Sequence, residues 1–423
     1  MSPAREVVVT GVGVLSPIGI GNEAFWQSLI EGRSGVRSLG WFAGGELPSP
    51  LGAEVPDFDP ARYVRPRKAL KVMSRDIQLA VAAADLAASD AALVEGAVDP
   101  ERLGVVFGAD MIAADLGELA PAYRACMADG RFDFRSWGDR ALAEMYPLWM
   151  LKYLPNMPAC HVGILHDARG PNNTLTLAEV SSLAALAEAA QLIRRGQADV
   201  VLAGGASSRI HPAVFLRNAS RQVSRRFADP AAACRPFDAD RDGMVFGEGA
   251  AALVLEAREH AQRRGAEGRV VARIRGCAVA FEPPRPGQPL RGDSIRRAIR
   301  GALAAAAWEP SQIGHVNAHG LSTTLDDRLE AQAIRDTLGS VPVTAPKSYF
   351  GNLGAATGAV ELAASVLALR HRFVFPTLNY RRPDPQCPID VVHGQGVPLE
   401  RPTALALNHA ASGQAVAMAL DAE

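Results

Sequence analysis

Two stretches of this 423-residue chain repeat one order: a short strand, a turn, a strongly apolar helix, and another strand. In the first, Asn173 to Leu177 reads as strand and Ser181 to Arg195 as an apolar helix. Ala198 to Ala203 then closes as a strand in Gly204-Gly205-Ala206. In the second, Pro342 to Thr344 is the strand, Gly351 to Leu369 the apolar helix entered through glycines, and Ala404 to Leu407 a later strand. Helices this apolar have to be buried. Strands alternating with helices imply mostly parallel sheets covered on both faces. The repeat predicts an α/β fold of two similar halves, 1–256 and 257–423, meeting through buried helices with a site at their seam. No linker-like stretch separates the halves, so one compact body is expected.

Other segments extend this frame. Glu6 to Val9 is a strand running into Thr10-Gly11-Val12-Gly13-Val14, and Asn22 to Glu31 reads as a helix capped by Asn22, with Phe25, Trp26, Leu29 and Ile30 in one stripe. Leu70 to Leu93 is helical and Ala-rich, Leu103 to Gly108 a buried strand, Phe246 to Glu256, Val270 to Cys277 and Ala415 to Leu420 further strands. Residues 111–161 carry scattered aromatics, Tyr123, Phe132, Trp137 and Tyr153 among them, with weak periodicity. They read as an insertion packed over a site or against a partner.

Lys and Arg total 44 against 45 Asp and Glu, a net charge of −1 without a global signature of nucleic-acid binding, although Arg221 to Arg226 and Arg291 to Arg300 are locally arginine-rich. Cys126, Cys160, Cys234, Cys277 and Cys387 are odd in number and never form C-x-x-C, which argues against a disulfide framework or a zinc site and fits a reducing compartment. No apolar run reaches the roughly 18 residues of a membrane span. Met1 to Val9 enters a strand-like run with no signal-peptide core, so a cytoplasmic location is expected.

Three segments suggest chemistry. In Leu175 to Ser182 a strand becomes a helix at Glu179, which places a carboxylate at the positive end of a helix dipole; capping is the plainer role for such an acid. In Val316-Asn317-Ala318-His319-Gly320-Leu321-Ser322-Thr323 a histidine at a strand end faces the seam, as a catalytic group or as a satisfied buried one. In Lys347 to Ala356 a lysine precedes a glycine-rich helix start, either charging the seam or forming a structural salt bridge with Glu361.

In combination these segments resemble the elongating, thiolase-fold β-ketoacyl-acyl-carrier-protein synthases over nearly the whole chain. The match runs from Val8 to Pro17 through Gly170-Pro171, Ala198 to Ala206, Arg235-Pro236-Phe237-Asp238 with Arg241-Asp242-Gly243, and Gly247 to Ala250. It ends with Asn317 to Thr323, Lys347 to Glu361 and Asn408 to Gly413. The resemblance implies a duplicated thiolase-like fold, layered α-β-α-β-α, with two mixed sheets around the buried helices. It also implies a cysteine at the elbow that takes an acyl group from a carrier thioester. Two histidines then assist decarboxylation of a malonyl thioester and stabilise the enolate.

This chain departs from that pattern where it matters most. Glu179 stands at the nucleophile's position and Asn352 at the second histidine's, while His319, Lys347 and Glu361 match. Glu179, His319, Asn352 and Lys347 are the candidate catalytic positions, with Glu361 and Asp327 as structural support. Of the two threonines that bind the carrier's pantetheine arm in the family, one is Leu321 here and the other matches as Thr323. The gate loop reads Asn408-His409-Ala410-Ala411-Ser412-Gly413 and has lost its aromatics, leaving His409 and Ser412 as candidate substrate contacts.

Attack by a carboxylate on a thioester would give a mixed anhydride, so standard condensation should lose its covalent step. Asn352 keeps N–H donors but carries no charge. Three readings follow: a chain-length-factor-like partner of an active ketoacyl synthase, with Glu179 as a plug paired to His319 or Lys347; an enzyme with altered acyl chemistry, as malonyl-carrier decarboxylase or with Glu179 as base for hydrolysis or acyl transfer, aided by Ser182 or His409; and an acyl-ligand binding module. The resemblance implies a homo- or heterodimer, no cofactor or metal of the chain's own, and a phosphopantetheine-bearing acyl carrier protein as the possible substrate carrier. Neither nucleic acid nor membrane is an expected partner.

Overall fold

The computed structural model describes residues 5–40, 49–218 and 221–423. The first four residues, which the sequence reading ran into the opening strand, lie outside them. The principal strands are β1 (Val7–Ser16), β2 (Leu103–Ala109), β3 (Asn172–Leu175), β4 (Val200–Ser208) and β5 (Phe246–Ala257), then β6 (Ala272–Phe281), β7 (His315–Asn317), β8 (Pro342–Thr344), β9 (Asp390–Val391), β10 (Thr403–His409) and β11 (Gln414–Asp421). The principal helices are α1 (Asn22–Glu31), α2 (Arg75–Asp90), α3 (Ser181–Arg194), α4 (Asp293–Ala306), α5 (Thr324–Leu338) and α6 (Thr357–His371).

The strands line up as β9-β8-β7-β10-β11-β6-β1-β5-β4-β2-β3. From the join between β6 and β1, each half has the same order counted along its own chain: first strand, fifth, fourth, second, third. Only β9 is extra. Within each half the second strand is parallel to its third and fourth, while the fourth and fifth are antiparallel. The two mixed sheets are not separate. Val8 and Val9 of β1 pair with Arg273 and Ala272 of β6 and join them edge to edge.

α3 and α6 lie between the sheets and touch both, α2 covers the outer face of the first sheet, and α4 covers the outer face of the second. This is the layered α-β-α-β-α arrangement, and it explains the two unpatterned apolar helices. α6 is buried at every residue from Thr357 to Leu369, and α3 at nearly all of its positions. Small residues let these layers approach. A Cβ on Gly205 of β4 would lie 2.6 Å from the Cβ of Ser182 and 2.8 Å from the carbonyl of Ala355.

One detail differs from the sequence reading. Asn22 does not cap α1. Gly21 precedes the helix with φ of 86°, and the Asn22 amide instead donates to Val12 O at 2.8 Å. Within residues 111–161 the helix Leu116–Ala125 contributes Ala122 to a small cluster with Cys126 and Ala141, a second helix spans Met157–Leu165, and Phe134 and Leu142 stay exposed.

Because Gly205 is pressed on by a fixed carbonyl and by α3, Gly205→Val is expected to cost about 2–4 kcal/mol. Urea denaturation followed by tryptophan fluorescence would show this as a lowered midpoint with an unchanged slope.

Candidate active site at the seam

The elbow begins where β3 ends. Ala178 is forced to φ of 52°, a left-handed conformation unfavourable for any residue with a Cβ. Ser181 holds the turn: its hydroxyl donates to Ala178 O at 2.7 Å and accepts from Leu177 N at 2.8 Å. A short 3₁₀ turn, Ala178–Val180, then leads into α3, so Glu179 sits at the positive end of that helix.

Glu179 is 1% exposed. Its Oε1 accepts from Arg209 Nη1 at 2.6 Å, Arg221 Nη1 at 2.7 Å and Asn352 Nδ2 at 3.2 Å. The sequence reading paired Glu179 with His319 or Lys347; the structure corrects that, and the reason is that Lys347 is already engaged. Burial alone would push the Glu179 carboxyl up, but the charges of Arg209 and Arg221 outweigh it and hold the group well below the usual carboxylate range. Arg209 is itself anchored. Its Nε donates at 3.2 Å to Asp110 Oδ2, which also accepts from Ser207 Oγ at 2.9 Å and Ala355 N at 3.0 Å. A charged network thus lies against Glu179 at the ends of β2 and β4.

Asn352 is equally committed. Its Oδ1 accepts from Gly354 N at 3.0 Å, and its amide nitrogen serves Glu179 and lies 3.6 Å from Met244 Sδ.

His319 belongs to a second cluster. Lys347 Nζ lies 2.9 Å from His319 Nδ1 and 2.6 Å from Glu361 Oε1. Asn408 Nδ2 lies 3.1 Å from the same His319 nitrogen and 2.6 Å from Glu361 Oε2. A lysine ammonium can only donate, so Nδ1 is the acceptor and the neutral ring carries its proton on Nε2, which has no partner among the described residues. Burial and then the Lys347 charge hold this imidazole well below its ordinary pKa. The His319 and Gly320 amides both donate to Glu330, at 2.6 and 2.7 Å.

His409 joins this cluster, its ring centroid 4.6 Å from that of His319 and its Nε2 3.8 Å from Glu330 Oε2. Burial opposes its protonation, yet Glu330 raises its pKa. Asp327 accepts from Phe237 N at 2.8 Å and lies 3.4 Å from Arg241 Nε, tying the Arg235–Arg241 turn to α5. Leu321 and Thr323 are buried, and the Thr323 hydroxyl donates to Asp326 at 2.6 Å. Ser412 is not brought in: it lies exposed on the turn between β10 and β11 and bonds Gln414. Ser182 accepts from Ala359 N at 2.9 Å, a packing contact between α3 and α6.

Arg209, Asp110 and Glu330 were missed in sequence, and Arg221 was noted only as part of an arginine-rich run. The available signal was Glu179 itself, since a buried carboxylate needs a cation. All five cysteines are free thiols. Burial pushes Cys234 up to about 12, so it is no thiolate at neutral pH. Among the described residues no group of three His, Cys, Asp or Glu side chains is arranged to hold a metal ion, and no helix is long and apolar enough to cross a membrane.

The family model for "Beta-ketoacyl synthase, N-terminal domain" matches residues 4–261, and that for "Beta-ketoacyl synthase, C-terminal domain" matches residues 271–381. The 3-oxoacyl-[acyl-carrier-protein] synthase 2 of Synechocystis is 34% identical, over 98% of this chain and 97% of its own. The granaticin polyketide putative beta-ketoacyl synthase 1 of Streptomyces violaceoruber is 38% identical over 92% and 91%. A solved structure described as the ishigamide ketosynthase/chain length factor superposes with a TM-score of 0.86 at 31% identity, covering all of both chains.

A carboxyl group with a depressed folded pKa stabilises the fold above its ordinary value near 4.5, and that contribution is lost as pH falls through the folded value. Glu179→Gln should therefore lower stability at pH 7 and flatten its decline below pH 4.5. Thermal melts of both proteins from pH 7 to pH 3 check this, and parallel curves would contradict it.

Proposed function

The chain belongs to the β-ketoacyl synthase family, and on that premise we propose that it is a non-condensing member that partners an active ketoacyl synthase in the manner of a chain-length factor, in fatty acid or polyketide biosynthesis. The observation that carries this reading is the ion-paired carboxylate at the elbow. Glu179 presents no sulfur, and its charge is consumed by two guanidinium groups. A carboxylate held so far below its ordinary pKa is also a weak base at neutral pH, which disfavours hydrolysis or acyl transfer driven by Glu179.

Two surfaces support a partner subunit. Among the described residues β3 pairs only with β2, and beside it is a hollow of about 490 Å³ whose walls include Leu175, Leu177, Ala184, Ala187 and Val279. The 111–161 segment adds exposed Phe134, Leu142 and Met150. Both features fit a subunit that completes its sheet and covers its apolar surface in a dimer. The likeness to a structure named as a ketosynthase/chain length factor agrees with that arrangement. A second reading, malonyl-carrier decarboxylation, is favoured by the intact His319–Lys347–Glu361 cluster and opposed by Glu179, which already takes up the arginine donors that a malonyl carboxylate would need.

Incubated with radiolabelled acyl carrier protein, the purified chain should form no acyl-enzyme. It should co-purify with a cysteine-bearing ketoacyl synthase when the two are expressed together, and release no carbon dioxide from malonyl carrier alone. A stable acyl-enzyme would refute the reading, and carbon dioxide release would replace it with the decarboxylase.

A further inference from the structure

We propose that the elbow is a carboxylate-binding site, built from the guanidinium groups of Arg209 and Arg221 and the amide of Asn352, which Glu179 occupies from within. This does not depend on the partner reading, because every group belongs to this chain.

The three donors converge on one oxygen, Oε1 of Glu179, at 2.6, 2.7 and 3.2 Å. Converging charged donors on a planar oxyanion are how proteins bind free carboxylates. The site is also preorganised without Glu179. Arg209, 6% exposed, is held from its other side by Asp110, which is fixed in turn by Ser207 and the Ala355 amide. Asn352 is held by the Gly354 amide. Of the three donors Arg221 is the most exposed, with 22% of its side chain accessible.

Charge fixes the ligand class. Two arginines face two carboxylates, Glu179 and Asp110, so the native cluster is balanced. A carboxylated thioester such as a malonyl group therefore meets a site already neutralised. Without Glu179 one buried cation is unmatched, and a small monoanionic carboxylate restores the balance. Glu179→Ala keeps Cβ and removes a methylene and a carboxylate, the heavy atoms of acetate.

The experiment is a thermal melt of Glu179→Ala in sodium acetate, in acetamide as the neutral isostere, and in sodium chloride at equal ionic strength. Acetate should raise Tm saturably, by about 3 °C at a hundredfold excess over its Kd for a chain of this length. Acetamide and chloride should not, and neither the unmodified chain nor Glu179→Ala/Arg209→Ala should respond to acetate. If Glu179→Ala is insoluble in chloride, refolding in acetate but not in acetamide should recover it. No acetate response, an equal response in the unmodified chain or the double variant, or failure of acetate to recover an insoluble Glu179→Ala while Glu179→Gln folds would each overturn the proposal.

Discussion

The charge balance around Glu179 governs what the seam can be. A carboxylate 1% exposed at the end of a strained turn is tolerable only with a cation against it. Here two are supplied, and the more deeply buried one, Arg209, requires its own anion in Asp110. The requirement propagates: Asp110 engages Ser207 on β4 and the amide of Ala355 in the turn that leads into α6. One residue at the elbow thus joins both buried helices and two strands of the first sheet. Holding a carboxylate there is not a local matter, since it needs at least Arg209, Arg221 and Asp110 in register to be stable.

What the sequence revealed and what it hid follow from how far each interaction reaches. Pro342–Thr344 and α3 were legible because a β-branched run and an unbroken apolar helix are local signals, and the duplicated order came from their repetition. The Lys347–Glu361 pair was legible because the residues lie fourteen apart, bridging a turn and the start of one helix. The partners of Glu179 were not legible. Arg209 is 30 residues away, Arg221 42 and Asn352 173, and only sheet order brings them together. Asn22 misled for the opposite reason: a good capping residue stood one position too late, because Gly21 adopts the positive φ that turns the chain into α1.

The second cluster shows why retained motifs are poor evidence of retained chemistry. His319, Lys347, Glu361 and Asn408 are bonded to one another through His319 Nδ1, the Lys347 ammonium, the Glu361 carboxylate and the Asn408 amide nitrogen. Removing one partner from a buried ion pair typically costs about 3–5 kcal/mol, because the other charge is left uncompensated. These residues would be kept for folding even after catalysis was lost. At the elbow the constraint is one of charge balance: the carboxylate of Glu179 is held only together with Arg209, Arg221 and Asp110. The identity of residue 179 and the use made of its charge therefore report on function, while the well-matched histidine and lysine report first on the integrity of the seam.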